Sequence, residues 1–272
     1  MLYKILPVLI GSASYIAPRT IGQWAAKQIQ VPRRKYKSQN RLPQADDTWQ
    51  LEQGCVRRWG SKAEPVVLLI HGWEGHHSQL HSIASALRDN GYAVVIVEPP
   101  AHGDGAGERA SPQHFADILN AAADIVGPIE LLLGHSMGGL AATLAISQGL
   151  KTSHLVTISA PADAASTING VSDWLRLSKP ARQNMHDCIE EFAGIPIAQV
   201  DTNATLANYN GQHLILHDRN DRKIPVEHAM KIRNSNPSAV LVLTAGLGHT
   251  RLLDDYDLCI QILNFTENRL CE

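Results

Sequence analysis

The chain has 272 residues, a formal net charge of −2 with neutral histidines, 44% hydrophobic residues and 18% charged residues. These values are typical of a globular protein with one large α/β domain or two small ones. The nearly balanced charge of the whole chain gives no electrostatic reason to expect binding to nucleic acid or to an anionic membrane.

The cysteines are scattered and form no C-x-x-C pair, which favours free thiols in a reducing compartment over disulfides or a zinc site. We therefore expect a cytoplasmic protein. The four cysteines are Cys55, Cys188, Cys259 and Cys271.

The first 13 residues contain Lys4, a short apolar run and then small residues, a pattern that weakly resembles a signal peptide. The single positive charge and Pro7 within the apolar run favour an amphipathic helix that lies on the domain. Export and membrane association through this segment stay open but are not favoured, and no run approaches the length of a membrane-spanning helix. The basic run 31–37 is interpreted as a solvated face or linker, with a docking patch as the alternative.

The residues from Trp49 to Trp59 form short, partly alternating stretches around Gly54, which predict a hairpin at the start of a sheet. Beyond them, runs of β-branched residues and leucine, typical of strands buried on both faces, alternate with segments of helical spacing. This alternation predicts a mainly parallel sheet with helices on both faces. The predicted strands are 66–70, 93–97, 131–133, 155–158, 214–216 and 240–243, and the predicted helices are 78–89, 112–126, 137–148, one opened by Pro225, and about 251–268.

Between Pro161 and Gly211 the alternation stops. This stretch is polar, shows helical but no strand periodicity, and is too long for a simple loop in a compact domain. The predicted organisation is therefore an N-terminal helical and basic extension over 1–45, an α/β core over 46–161 and 212–272, and an inserted helical cap over 162–211.

The pattern G-x-S-x-G occurs from Gly134 to Gly138, between an apolar run fit for a strand and an Ala/Leu-rich run fit for a helix. A serine in so sharp a turn has a strained backbone and presents its hydroxyl outward. The helix that follows directs its positive dipole end at this residue, which favours an anionic tetrahedral intermediate. Ser136 is therefore the candidate nucleophile, with an ordinary serine in a glycine-rich turn as the alternative.

A serine nucleophile needs a base, and the base is most effective when an acid orients it. His249 is the candidate base, because it follows the last predicted strand in a glycine-rich loop. An ordinary histidine titrates near pH ~6.5, so activity should fall as the pH drops through that range. Asp221 is the candidate acid because it directly precedes the Ile224-Pro225 helix start. Asp218 is the alternate, and it could instead fix the turn or pair with Arg219 or Arg222.

Acyl transfer also needs two N–H donors for the oxyanion. One should be the backbone amide of Met137, directly after the candidate nucleophile. The second should follow an earlier strand, where His71, Gly72 and Trp73 occur, and the Trp73 amide is the candidate. A plain turn at the strand end is the alternative.

A histidine-rich segment, His76 to His81, lies beside Glu74 and raises a metal site as an alternative. Its spacing lacks a recognisable ligand pair on one helix face, so we expect these residues to cap a helix or line the entrance to the site.

The order of these motifs resembles the α/β-hydrolase superfamily over roughly residues 50–270. The motifs are His71-Gly72-Trp73 after a strand, Gly134-His135-Ser136-Met137-Gly138-Gly139, Asp221 before Ile224-Pro225, and Gly248-His249. The turn from Ala101 to Gly105 is also similar, although the acidic residue often found before it is here Glu98 followed by two prolines.

The resemblance implies an α/β-hydrolase fold with Ser136, Asp221 and His249 as a catalytic triad. It also implies hydrolysis of small carboxylic esters of short to medium acyl chain, as in many bacterial esterases and lipases, with no cofactor and no metal. A thioesterase or amide hydrolase on the same triad is the alternative among enzymes. A catalytically silent, ligand-binding member of the fold is the alternative outside them. The sequence predicts no nucleic-acid partner and leaves the oligomeric state open.

Overall fold

The computed structural model describes residues 2–33 and 42–268, and at its centre lies an eight-stranded sheet. The strands are β1 (Asp47–Leu51), β2 (Gly54–Trp59), β3 (Val66–Ile70), β4 (Ala93–Glu98), β5 (Ile129–His135), β6 (Thr152–Ile158), β7 (Gln212–Asp218) and β8 (Val240–Thr244). Their spatial order is β1-β2-β4-β3-β5-β6-β7-β8. The hairpin of β1 and β2 pairs antiparallel to β4, and all other neighbours are parallel. The predicted fold class is confirmed.

The central strands are apolar throughout because both faces of the sheet are covered. In β3, Leu68 and Ile70 belong to one hydrophobic core, whereas Val67 and Leu69 belong to the core on the opposite face. Successive side chains of a strand point to opposite faces, so a continuous apolar run supplies both cores.

The helices cover these two faces. They are α1 (Leu2–Ile16), α2 (Pro18–Gln30), α3 (His81–Asp89), α4 (Pro112–Val126), α5 (Met137–Ser147), α6 (Ala164–Trp174), α7 (Lys179–Ala193), α8 (Thr202–Thr205), α9 (Glu227–Ser235), α10 (Gly248–Arg251) and α11 (Tyr256–Thr266). Helices α4 and α5 pack on one face of the sheet, and the core on that face also contains residues of α2, α6 and α7. Helices α3 and α11 pack on the opposite face. Among the described residues, no helix combines the length and the apolar character that crossing a bilayer requires.

The N-terminal helices pack on the helices inserted between β6 and β7. The Ser178 N–H donates to Ser14 Oγ at 2.8 Å, and Ser178 Oγ donates to the Ser14 carbonyl oxygen at 2.7 Å. Along α2, a Cβ on Gly22 would lie 2.6 Å from the carbonyl oxygen of Ala181. The predicted helices of 1–45 and 162–211 thus contact each other. The division into extension, core and cap stays a prediction, and the part of the basic run after Arg33 lies outside the described residues.

Several predicted boundaries were wrong in detail. The last helix does not run from Arg251, because Leu252–Asp254 forms a 3-10 turn and the Asp255 side chain caps α11 by accepting from the Leu258 N–H. The helix predicted over 78–89 begins as a 3-10 turn, His77–Leu80, before α3. Pro225 lies two residues before the first residue of α9 instead of inside it.

Three cysteines, Cys55, Cys188 and Cys259, are free thiols, and Cys271 lies outside the described residues.

Candidate active site

Ser136 lies in the turn between β5 and α5 with a φ of 54°, a region that is strained for a residue with a side chain. Its N–H donates to the Ile158 carbonyl oxygen on β6 at 2.8 Å, which ties the turn to the sheet. Gly138 closes the turn against β3, because a Cβ there would lie 2.4 Å from the His71 carbonyl oxygen. The glycine therefore permits the close approach that this turn requires.

The structure brings His249 and Asp221 to this serine. The Ser136 hydroxyl donates to His249 Nε2 at 3.0 Å, and His249 Nδ1–H donates to Asp221 Oδ2 at 2.7 Å. The side chain of Asp221 is fully buried and that of His249 is 9% exposed. His249 lies in the single turn of α10, whereas the sequence predicted a glycine-rich loop. This geometry suits the roles of a nucleophile, a general base and an orienting acid.

Asp221 is ionised in this environment. Burial by itself would raise the pKa of its carboxyl group, but hydrogen bonds from His249 and from the backbone N–H groups of Ile224 and Lys223 outweigh burial. The pKa of Asp221 is therefore held well below its usual range. An ionised acid at this position holds His249 with Nε2 free to accept a proton from Ser136.

Asp218, the alternate acid, does not contact His249 through its carboxylate. Its Oδ2 accepts from Thr244 Oγ1 at 2.8 Å and from the Leu247 N–H at 3.0 Å, and its Oδ1 accepts from the Asn220 N–H at 2.9 Å. These bonds fix the turn after β7 to the segment that carries His249. Asp218 therefore fixes a turn, one of the roles the sequence allowed, and within the described residues it forms no ion pair with Arg219 or Arg222.

His135 supports the same segment from the other side. Its Nε2–H donates to the His249 carbonyl oxygen at 2.8 Å. Burial lowers the pKa of His135 to about 3, so its ring is neutral at ordinary pH. His135, the first variable position of the G-x-S-x-G pattern, thus fixes the backbone of the candidate base by a hydrogen bond.

Two backbone N–H groups lie beside the serine. Gly72 packs so closely that a Cβ there would lie 2.7 Å from Ser136 Cβ, and Trp73 follows directly. Among the described residues, neither the Trp73 N–H nor the Met137 N–H has a hydrogen-bond acceptor. Unpaired donors beside a nucleophile suit a developing oxyanion.

Glu98 joins the loops that follow β3 and β4. It ends β4 with a fully buried carboxylate. Oε2 accepts from Arg57 Nη1 at 2.5 Å and from the Asp104 N–H at 3.0 Å, and Oε1 accepts from His77 Nδ1 at 2.9 Å. Burial would raise the pKa of Glu98, but the hydrogen bonds from His77 and from the Asp104 N–H hold it well below the usual range. The carboxylate is therefore a fixed negative charge that joins the loops after β3 and β4.

The side chains around Glu98 include three residues whose ligand atoms are close enough together to bind a cation. One ligand atom from each of His76, His77 and Glu98 lies within 4.8 Å of the others. The guanidinium bonded to Glu98 already supplies a positive charge there, which opposes a metal ion. Glu74, the acid that the sequence placed beside these histidines, is directed elsewhere and accepts from the Arg33 N–H at 2.9 Å. His76 caps the 3-10 turn before α3 by accepting from the Ser78 N–H.

A cavity of about 90 Å³ adjoins the candidate oxyanion donors. Trp73 and Met137 line it together with Ala164 and Ile168 of α6, and Ile29 of α2 also contributes. Its walls are mainly apolar, as is typical of sites that bury the hydrocarbon part of a small molecule. Sequence reasoning missed the part that α2 plays here, because nothing local in residues 18–30 indicates which part of the fold they contact.

The chain matches a family model described as serine aminopeptidase, S33, over residues 61–227. The matched region includes Ser136 and Asp221 and ends before His249. A curated relative, phospholipase YtpA of Bacillus subtilis (strain 168), is 34% identical over 93 residues, which are 31% of this chain and 36% of that protein. The match thus spans about a third of the relative's length.

Solved structures are similar in fold. An α/β hydrolase from the sediment metagenome of the Mar Chica lagoon, Morocco, has a TM-score of 0.61 at 21% identity and covers 82% of this chain and 99% of its own. A structure described under carboxylesterases of Nitrososphaera gargenis has a TM-score of 0.60 at 13% identity, covering 82% and 100%. The thioesterase domain from the curacin biosynthetic pathway has a TM-score of 0.59 at 21% identity, covering 80% and 99%.

Proposed function

Because the chain belongs to the serine aminopeptidase S33 family of α/β hydrolases, we propose that it is a serine hydrolase that cleaves carboxylic esters through an acyl-enzyme. One observation carries the proposal: the hydrogen bonds that join Ser136, His249 and Asp221 in series. The fold and the family's description do not fix a substrate, so the reaction is argued from the site.

In the proposed reaction, the Ser136 oxygen attacks the acyl carbon as its proton passes to His249 Nε2. The carbonyl π electrons move to the oxygen, and the N–H groups of Trp73 and Met137 bind the resulting oxyanion. When the tetrahedral intermediate collapses, the ester C–O bond breaks and His249 gives its proton to the leaving alcohol. Water then attacks the acyl-enzyme by the same route, which releases the acid and restores the serine. Asp221 stays ionised and orients the imidazole throughout.

The cavity supports a small acyl group. About 90 Å³ of mainly apolar space beside the donors suits a chain of a few carbons better than a long fatty acid. The phospholipase named among the relatives and the carboxylesterase among the structures are consistent with ester cleavage in general. We therefore propose short acyl esters, and thioesters with the same acyl groups are the comparison substrates.

The first test is intact-protein mass spectrometry after treatment with a fluorophosphonate probe. The expected result is a single adduct on the wild type and none on Ser136→Ala. A series of p-nitrophenyl esters from acetate to decanoate, with matched thioesters, then measures kcat/KM against acyl length. A folded wild type that forms no adduct and cleaves none of these compounds would contradict the proposal and favour a silent, ligand-binding protein.

A further inference from the structure

Helix α1 exposes apolar side chains on the outer surface of the protein. Leu9 is 62% exposed and Ile16 is 88% exposed, and their seven-residue spacing places them on one side of the helix. Tyr15 beside them is 76% exposed. Isolated exposed apolar residues are ordinary, but a group of them on one helix marks an interaction surface.

On the side of α1 that faces the protein, small and polar residues lie beside Ile10, which packs against the hydrophobic core. Gly11 and Ser14 face the inserted helices, with Ser14 bonded to Ser178 and a Cβ on Gly11 set to lie 2.9 Å from Arg176 Cβ. A surface helix in water directs its apolar stripe inward and its polar residues outward. Here Ile10 and the small and polar residues hold the helix in place, whereas the exposed leucine and isoleucine point away from the protein, so packing within the fold does not explain the exposed face.

The charge of the sequence from residue 1 to residue 45 is strongly one-sided. Residues 1–45 contain eight of the 24 Lys and Arg residues and none of the 26 Asp and Glu residues, the first acid being Asp46. The rest of the chain therefore carries 16 basic and 26 acidic residues. Within the described part, Arg19 and Lys27 of α2 are exposed, and Trp24 between them is 40% exposed. The net charge of −2 for the whole chain conceals this asymmetry.

We propose that α1 and α2 dock on the surface of an anionic lipid bilayer. Exposed leucine, isoleucine, tyrosine and tryptophan suit the boundary between headgroups and acyl chains, and nearby lysine and arginine are attracted to anionic headgroups. At 15 residues, α1 is too short to span a bilayer and would lie in its plane. Nucleic acid would use the basic residues but would leave Leu9 and Ile16 without a role.

This inference does not depend on the proposed esterase activity, because Leu9, Tyr15 and Ile16 take no part in the hydrogen bonds that join Ser136, His249 and Asp221. The same helix pair reaches the cavity, because α2 contributes Ile29 to the wall beside Trp73. A bilayer bound to the helix pair would therefore lie against the element that closes the cavity.

The test is sedimentation of the full chain with vesicles in about 0.1 M salt, where charges are screened beyond about 10 Å. One set of vesicles is phosphatidylcholine alone, and the other contains about one third phosphatidylglycerol. The variants are Leu9→Asp combined with Ile16→Asp on α1, and Tyr256→Asp as the control. Tyr256 is 75% exposed, matching Tyr15, but lies on α11 at the opposite face of the sheet. Circular dichroism establishes that each variant is folded.

We expect the wild type and Tyr256→Asp to bind the anionic vesicles, with binding that weakens as salt rises. The double variant should lose at least about tenfold in partition coefficient, because two carboxylates would enter the interface. Wild-type protein that stays in the supernatant would overturn the proposal. So would a double variant that binds as the wild type does, and equal binding to neutral vesicles would overturn the choice of an anionic surface.

Discussion

At the scale of single residues, two aspartates 3 positions apart have separate tasks. Asp221 accepts a hydrogen bond from His249 Nδ1–H, whereas Asp218 accepts hydrogen bonds from the Thr244 hydroxyl and the Leu247 N–H of the neighbouring segment. Burial by itself would raise the pKa of both carboxyl groups, but hydrogen bonds outweigh it and lower both pKa values. Ionisation alone therefore does not distinguish the two residues. The distinction is geometric, and it can be tested by removing one charge at a time.

Asp221→Asn should lower kcat by about 10⁴-fold, because an amide at this position favours the wrong histidine tautomer. Asp218→Asn should leave most of kcat but lower the free energy of unfolding by about 1–3 kcal/mol, since it weakens bonds from buried donors. Steady-state kinetics and urea denaturation of both variants measure the two effects. A larger loss of kcat in Asp218→Asn than in Asp221→Asn would make Asp218 the orienting acid.

Gly72→Ala tests the position of the candidate oxyanion segment. The added methyl would lie 2.7 Å from Ser136 Cβ and 3.1 Å from the His135 carbonyl oxygen, so the backbone at Trp73 must retreat. Removing one oxyanion donor typically costs about 10²–10³-fold in kcat, and we expect a loss of that size. Turnover of a p-nitrophenyl ester within about threefold of wild type would show that the Trp73 amide does not bind the oxyanion.

At the scale of elements, the joint between α2 and α7 connects the N-terminal helices to the cavity. Gly22 is in contact with Ala181 and Asn184 of α7, and farther along the same helix Ile29 lines the cavity. A displacement at Gly22 should therefore alter the space available to an acyl chain. Local pattern could suggest that residues 18–30 form a helix, but not that they complete this wall.

Gly22→Ala should lower the thermal midpoint, because its Cβ would lie 2.6 Å from a backbone carbonyl oxygen that cannot move independently. It should also change the dependence of kcat/KM on acyl length. Gly170→Ala is the matched control: Gly170 lies within α6, nothing lies within 4 Å of its added methyl, and the substitution should stabilise by about 0.5–1 kcal/mol. Equal midpoints for the two variants would refute tight packing at this joint.

At the scale of the whole molecule, several histidines are buried in the fold. Burial lowers the pKa of His71, His135 and His213 from 6.5 to about 3. Between those two values the unfolded chain binds protons that the folded protein does not bind. The free energy of unfolding must therefore fall as the pH falls from 6.5 towards about 3.

His213→Gln should reduce this pH dependence. Its ring lies away from Ser136 and bonds Thr157 Oγ1 at 2.9 Å, a contact that an amide can replace without titrating. Urea denaturation at a series of pH values below 6.5 measures the slope of the free energy of unfolding against pH. The variant should show a shallower slope by up to about 1.4 kcal/mol per pH unit, the value for one proton. An unchanged slope would mean that His213 takes up its proton in the folded state.

Features that depend on a few neighbouring residues could be predicted from the amino-acid sequence alone. Runs such as Val66–Ile70 predicted the buried strands, and the glycines around Ser136 predicted the strained turn, because backbone sterics and alternation act locally. Chain order then selected His249 and Asp221, which the structure places within hydrogen-bond distance of their partners. The helix breaks before Tyr256 and the exact start of α9 were missed, since competing local signals decide helix ends.

Contacts between residues far apart in the chain could not be predicted in this way and emerged from the folded structure. The bond from Arg57 to Glu98 spans 41 positions, that from His135 to His249 spans 114, and that from Ser14 to Ser178 spans 164. Such pairs form because packing brings their elements together, and no spacing in the sequence specifies them. The separate roles of Asp218 and Asp221, the wall that α2 adds to the cavity and the outward apolar face of α1 belong to this class. Each depends on which surfaces the folded chain covers and which it leaves open.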